Sequence, residues 1–272
     1  SGRNLLSKPS AVKAWSVEHR VPVIEMGSAE DPNCFAQLKA LKADLFIVIS
    51  FGRILKRSFL ELPKLNAINI HASLLPKYRG ASPMQAAILN GEPETGVCVM
   101  RLVEALDAGA VCVTKKIAIQ ARETILTLEP RLAALAAEAL TEALPLLEKS
   151  RVTWAEQDPT QATVCSKIRK EDGKIDWNLS ADRIDRQVRA YLDWPGSYAF
   201  YHGKRLVIKK SRPVRSTVAV KPGQICGVSD EGITVGAGDG CLLLEALQLE
   251  GRSALKASEF LKGTPLKAGE AL

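Results

Sequence analysis

Leu65-Asn66-Ala67-Ile68-Asn69-Ile70-His71-Ala72-Ser73-Leu74-Leu75-Pro76-Lys77-Tyr78-Arg79-Gly80 is the stretch on which the reading of the whole chain turns. Successive side chains of a β-strand face opposite ways, so Asn69 and His71 share one face while Ile68 and Ile70 take the other. The residues that follow are too rich in proline, glycine and charge to continue a strand. A strand that delivers polar side chains to such a loop marks the place where open α/β sheets bind ligands. On periodicity alone, a lone histidine at a strand end such as His71 is more often a hydrogen-bonded structural residue than a catalyst, and Asn69 is equally a turn former.

The flanking segments place this strand in a layered α/β architecture. Ser10 can cap a helix that carries Val12, Trp15 and Val17 towards a strand at 21–24. Residues 31–42 hold Phe35, Leu38 and Leu41 at helical spacing. The unbroken apolar run Leu45–Ile49 predicts a strand buried on both faces, as in a parallel sheet. Phe51-Gly52 then turns the chain into a short helix near 54–60. Beyond the loop, Ser82-Pro83 reads as an N-cap with proline at the first helical position, the helix ending near Asn90-Gly91. Strands follow at 95–102 and 110–119, with Asp107 in the turn between them. Thr124 can cap a Leu- and Ala-rich helix reaching Leu147, in which Pro130 predicts a kink or a late start.

At 272 residues, with 46% hydrophobic and 25% charged residues, the composition is that of a globular protein of about two domains. No apolar run approaches the ~18 residues that cross a bilayer as a helix. Cysteines 34, 98, 112, 165, 226 and 241 include no C-x-x-C pair and lie near no histidine, so they predict small buried residues in a reducing compartment and no metal site. The net charge of +7 is unevenly spread. No acidic residue lies between Asp193 and Asp230, whereas Lys204, Arg205, Lys209, Lys210, Arg212, Arg215 and Lys221 do. Such a run is either a solvated face or a phosphate-contacting surface.

From about residue 150 the texture changes to short β-like runs, at 163–168, 173–177, 197–200, 205–210, 223–228, 233–236 and 242–249. One helix from Ser180 interrupts them, with Ile184, Val188 and Tyr191 on one face. This pattern predicts a small β-barrel. The expected organisation is a first domain over 1–150, a linker and first strand over 151–165, and a second domain over 166–272.

Asn69-x-His71-x-Ser73-Leu74-Leu75-Pro76, then Tyr78-Arg79-Gly80-Ala81-Ser82-Pro83 and Leu106-Asp107-Ala108-Gly109, resembles the signature of the 10-formyltetrahydrofolate-dependent formyltransferases. The resemblance implies a Rossmann-like open parallel sheet followed by an OB-like barrel. It implies catalysis by Asn69, His71 and Asp107, the first two stabilising an oxyanion and the third orienting His71 and relaying a proton, without a metal. It implies a folate site made by Ser73, Leu74, Leu75 and Pro76, with Phe51, Gly52 and Leu106 as walls. The family pattern has Thr or Ser where this chain has Ala108, which removes a hydroxyl beside the acid.

The acceptor amine varies across the family. Glu171–Trp177, Trp194-Pro195-Gly196, Gly238-Asp239-Gly240 and Gly251 resemble the members that act on methionyl initiator tRNA. Arg3 falls where those members have a tRNA-contacting arginine, and Lys204, Arg205, Lys209, Lys210, Arg212 and Arg215 are the expected phosphate contacts. The alternatives are an enzyme acting on a sugar-nucleotide amine and a catalytically inactive RNA-binding remnant. A monomer in the cytoplasm, or in an organellar matrix, is expected. In the resembled family Ser1–Ser10 is the middle of a loop after the second strand. The resemblance therefore implies that strands precede Ser1, and that residues 1–272 alone make an inactive, poorly stable enzyme.

Overall fold

The structure, a computed structural model, describes residues 9–25, 32–52, 55–215 and 220–272. Arg3 lies outside them, as do Asp31 and the first residue of the helix expected near 54–60.

The first half contains α1 (Ala11–Glu18), α2 (Pro32–Ala40), β1 (Phe46–Val48), α3 (Arg57–Leu60), β2 (Ala67–His71), β3 (Arg79–Gly80), α4 (Pro83–Asn90), β4 (Glu94–Arg101), β5 (Val111–Ala118) and α5 (Ile125–Glu148). Its sheet has the order β1-β2-β4-β5. Parallel pairing is confined to β1 and β2, and β2–β4 and β4–β5 are antiparallel, so among the described residues the sheet is mixed. Helix α5 lays Ile125, Leu128, Leu132, Ala139 and Ala143 over the sheet, forming one core with Ile68, Ile70, Val97, Val99 and Val113.

Several local expectations are corrected. Ser10 does cap α1, accepting from the Lys13 amide at 3.2 Å, but Val12, Trp15 and Val17 are exposed and Ser16 is the buried residue. Residues 21–25 form no strand. The run expected to be buried on both faces makes only a three-residue strand, at the sheet edge among the described residues, with Ile47 and Ile49 exposed. An edge strand loses the neighbour that would cover it. Pro130 does not delay α5, which starts at Ile125 behind a Thr124/Thr127 capping box. The carbonyl that Pro130 cannot satisfy belongs to Leu126, an exposed residue where water can reach it. Ser82 occupies the N-cap position of α4 without capping it; its hydroxyl donates instead to Ser166 O at 2.6 Å.

The second half comprises β6 (Val164–Cys165), α6 (Ala181–Ala190), β7 (Ser197–Tyr201), β8 (Lys204–Val214), β9 (Ile225–Ser229), β10 (Gly232–Ala237), β11 (Gly240–Leu249), β12 (Leu255–Lys256) and α7 (Ala257–Gly263). Strands β7-β8-β11-β10-β9 form one antiparallel sheet, with β12 on β11. They enclose a single core that includes Ile184, Leu206, Ile208, Ile233, Leu244 and Phe260. No ladder among the described residues joins β9 to β7, which leaves the partly open arrangement of an OB-like barrel. The run at 173–177 contributes one bridge, Lys174 to Tyr198, rather than a strand. The run at 163–168 does not join this sheet: β6 pairs in parallel with β3 of the first half.

Helix α6 joins the two halves. Ile184 and Val188 belong to the second core, Ala190 and Tyr191 to the first. A buried charge cluster runs beside it. Asp185 accepts from Arg122 (3.0 Å), Arg189 (2.9 Å) and Ser211 (2.9 Å), while Arg189 also donates to Glu123 O at 2.8 Å. The Glu123 carboxylate is paired in turn with Arg131.

Candidate active site

Strand β2 puts Asn69 opposite Met100 and His71 opposite Cys98 on β4, so both side chains leave the same face of the sheet. That face opens on a cavity of about 360 Å³ lined by Asn69, His71 and Asp107. Asn69 and His71 are both more than nine-tenths buried. The apolar walls include Phe51, Leu55, Leu60, Met84, Leu102 and Leu106, and Gly52 also lines the space.

His71 is hydrogen-bonded through one ring nitrogen and faces a carboxylate with the other. Its Nε2 donates to the Tyr78 carbonyl oxygen at 2.8 Å. A carbonyl only accepts, so Nε2 carries a proton and Nδ1 is the nitrogen free to gain or lose one. Nδ1 lies 3.6 Å from Asp107 Oδ2. That is ion-pair range but longer than a hydrogen bond.

The Asp107 carboxylate is fixed by backbone rather than by a neighbouring hydroxyl. Oδ2 accepts from the Gly80 amide at 2.8 Å. Gly80 has φ +113°, and a Cβ there would sit 2.3 Å from Cys165 O, so only glycine fits. Asp107 itself has φ +43°, a left-handed conformation that aspartate tolerates better than most residues.

The loop between β2 and β3 is braced on the side away from the cavity. Ser73 is fully buried and its hydroxyl donates to Lys77 O at 2.7 Å. The Tyr78 amide donates to Thr163 Oγ1 at 2.8 Å, and the Tyr78 hydroxyl donates to Glu92 Oε1 at 2.6 Å. Burial, and then that bond to Glu92, pushes the Tyr78 phenol up to about 12. The same bond holds the Glu92 carboxyl below its ordinary range.

Of the residues expected from sequence, the structure brings Asn69, His71, Asp107, Phe51, Gly52 and Leu106 around one cavity. Ser73, Leu74, Leu75 and Pro76 are not among its walls, because Ser73 closes the turn and Leu74 packs towards Gly96. Sequence reasoning missed the Tyr78 carbonyl, the Gly80 amide and Gln157. The first two are backbone groups, invisible to side-chain patterns, and Gln157 lies in a segment read as a linker. Gln157 Nε2 donates to both Asp107 O and Gly109 O at 2.8 Å.

The basic run is only partly free. Arg205 stacks its guanidinium over Tyr198 at 3.9 Å and donates to Pro195 O at 2.9 Å. Lys210 and Arg212 share Glu245, and Arg212 also pairs with Glu231 at 2.8 Å. No ion pair among the described residues engages Lys204, Lys209 or Arg215. Alternation along β8 turns Leu206 and Ile208 inward and Lys209 outward. Among the described residues no three of His, Cys, Asp and Glu cluster as metal ligands, and no helix is long and apolar enough to cross a membrane.

Comparison with known proteins matches residues 2–144 to the formyl transferase family and residues 167–265 to the formyl transferase C-terminal domain. The methionyl-tRNA formyltransferase of Geobacter metallireducens is 41% identical over 268 residues, covering 98% of this chain and 86% of its own. That of Anaeromyxobacter dehalogenans is 39% identical over 266 residues, covering 97% and 85%. Among solved structures, an N-formyltransferase from Helicobacter canadensis in complex with folinic acid and dTDP-3-aminofucose superposes with TM-score 0.67 at 19% identity, over 88% of this chain and 84% of that one. The methionyl-tRNA formyltransferase from Clostridium thermocellum gives TM-score 0.56 at 18% identity, over 74% and 86%. At these identities the structural likeness establishes the fold.

Proposed function

The chain belongs to the formyl transferase family, and from that premise we propose that it transfers the formyl group of 10-formyltetrahydrofolate to the amine of methionyl initiator tRNA, in the cytoplasm and as a monomer. The observation that carries the reading is the convergence of Asn69, His71 and Asp107 on one largely apolar cavity. The near-full-length identity to relatives named for that reaction supports the choice of acceptor.

The cavity suits a flat aromatic ring bearing a one-carbon group: its walls are apolar, and its polar residues gather where β2 ends. Phe51, Leu55, Leu102 and Leu106 would hold the ring, and Asn69, His71 and Asp107 would face the one-carbon group. When bound, the folate supplies a formyl carbon already attached to a nitrogen leaving group.

The chain's own residues do the rest. Asn69 offers its amide N–H to negative charge developing on oxygen. A preorganised donor of this kind accounts for about 100- to 1000-fold in rate. His71, anchored through Nε2 to Tyr78 O, presents Nδ1 as the site that holds a proton. Asp107 faces that nitrogen and keeps its second oxygen, Oδ1, available to take a proton from the attacking amine, directly or through water. Burial of Asn69 and His71, beside an Asp107 side chain only 14% exposed, limits the access of bulk water to the site.

The acceptor is tested by offering the protein 10-formyltetrahydrofolate with either methionyl initiator tRNA or a sugar-nucleotide amine. The reading expects formylated methionyl-tRNA. Formylation of the sugar nucleotide alone would replace it.

A further inference from the structure

We propose that Gln157, in the segment between the two halves, is the positioning residue that sets the Asp107 carboxylate against His71. Its side chain joins the two pieces of backbone that hold this carboxylate. Oε1 accepts from Arg79 Nε at 3.0 Å and Nη2 at 2.8 Å. Nε2 donates to Asp107 O and Gly109 O, each at 2.8 Å. The orientation of the amide is forced, because a guanidinium only donates and a carbonyl only accepts. All four bonds are therefore satisfied in one arrangement and in none with the amide turned over.

The two partners matter for what they carry. Arg79 precedes Gly80, whose N–H donates to Asp107 Oδ2 at 2.8 Å. Asp107 and Gly109 form the turn that brings the carboxylate in with a left-handed backbone. Gly109 also lies so close to Arg101 that a Cβ would fall 1.9 Å from its carbonyl oxygen. One face of Gln157 thus holds the donor segment and the other the acceptor turn. Gln157 is not among the residues lining the cavity, so it acts through Asp107 and not on substrate. Its 3.6 Å consequence is the spacing of His71 Nδ1 and Asp107 Oδ2.

The assignment deepens the reading of the cavity as a formyl-transfer site, and only its kinetic arm rests on that reading. Two variants of the full chain separate positioning from mere filling of space. Gln157→Glu keeps the acceptor for Arg79 and loses both donors; Gln157→Met keeps the length and loses all four bonds. Amide hydrogen exchange followed by NMR should show the Gly80 N–H exchanging about tenfold faster or more in both variants, with the amide of Val99 in β4 unchanged. In the parent, the Gln157 side-chain NH₂ should itself be protected, a result that needs no variant. Unprotected NH₂ protons, or a Gly80 amide equally protected in parent and variants, would overturn the proposal whatever the protein catalyses. In formyl transfer, kcat should fall about 100-fold, the scale of a misplacement near 1 Å, with KM for folate and tRNA within about threefold. A kcat within about twofold of the parent would also overturn it. Absence of transfer by the parent would instead defeat the proposed function, and the exchange measurement would still decide the role of Gln157.

Discussion

Asp185→Asn should weaken the whole protein by about 3 kcal/mol, because Asp185 is the shared acceptor where the two halves meet. Its side chain is 4% exposed and takes hydrogen bonds from Arg122, Arg189 and Ser211. Asparagine preserves the shape and removes the charge; its Nδ2 can donate to the Ser211 hydroxyl while its remaining oxygen faces the two arginines. Breaking a buried pair by removing one partner costs about 3–5 kcal/mol. The Arg122 side chain is 50% exposed, so its share is screened to about 0–1 kcal/mol. Arg189 is 13% exposed and would keep only neutral acceptors, the amide oxygen and Glu123 O, so most of the loss comes from leaving its charge uncompensated. Against a typical domain stability of about 5–15 kcal/mol this is a large fraction. Urea denaturation at neutral pH should move the midpoint down by roughly 1 M for a slope of about 3 kcal/mol/M. The double variant with Arg189→Met should be less unstable than the two single losses added together, since each partner's removal relieves the other. Additive losses, or a single-variant loss below about 1 kcal/mol, would refute the view that this cluster ties the halves together.

Three further outcomes follow from particular contacts. Tyr78→Phe removes the hydroxyl bonded to Glu92 and should cost about 1.5–3 kcal/mol at neutral pH, as expected for a bond to a charged group. The Glu92 carboxyl is held below its ordinary value of 4.5, so this stabilisation is present above that value and lost as pH falls through the lower folded one; denaturation curves of parent and variant should converge in acid. Gly80→Ala places a Cβ against Cys165 O, and its kcat should fall about 100-fold as the Asp107 cradle shifts, whereas steady-state kinetics at the parental rate would contradict that geometry. Removing the charges of Lys204, Lys209 and Arg215 together should flatten the dependence of log Kd for tRNA on log salt by about 2, at 0.7–0.9 per phosphate contact. The same measurement on Arg212→Ala should leave the slope nearly unchanged, since that guanidinium is already paired with Glu231 and Glu245.

The polar side chains of the site were legible in the sequence because a strand has a period of two. Asn69 and His71 had to share a face once Ile68 and Ile70 were buried, and the structure puts both on the cavity. Asp107 could be added only through a motif, since nothing in its spacing connects a turn residue to a strand 36 positions earlier. The groups that orient the site were not legible. The Tyr78 carbonyl and the Gly80 amide are supplied by backbone in left-handed or glycine-only conformations, and Gln157 acts from a segment without periodicity. The same limit explains the misread strand at 163–168. A two-residue ladder with β3 depends on where the chain returns in space, and local β propensity does not record that. The exposed faces of α1 and β1 show the converse: an apolar pattern reports what could be buried, and burial itself depends on a neighbour. The stacking of Arg205 over Tyr198 was likewise not legible, because that ring faces β8 from the adjacent strand β7.

The most direct test of the central claim is single-turnover formyl transfer by Asp107→Asn and His71→Ala, measured beside the binding of folate and of methionyl initiator tRNA. If the cavity works as described, the chemical step falls by about 100-fold or more in each variant, while both affinities stay within about threefold of the parent. A chemical step left near the parental rate, or affinities that fall in step with it, would contradict the assignment of this cleft as the place where the formyl group is transferred.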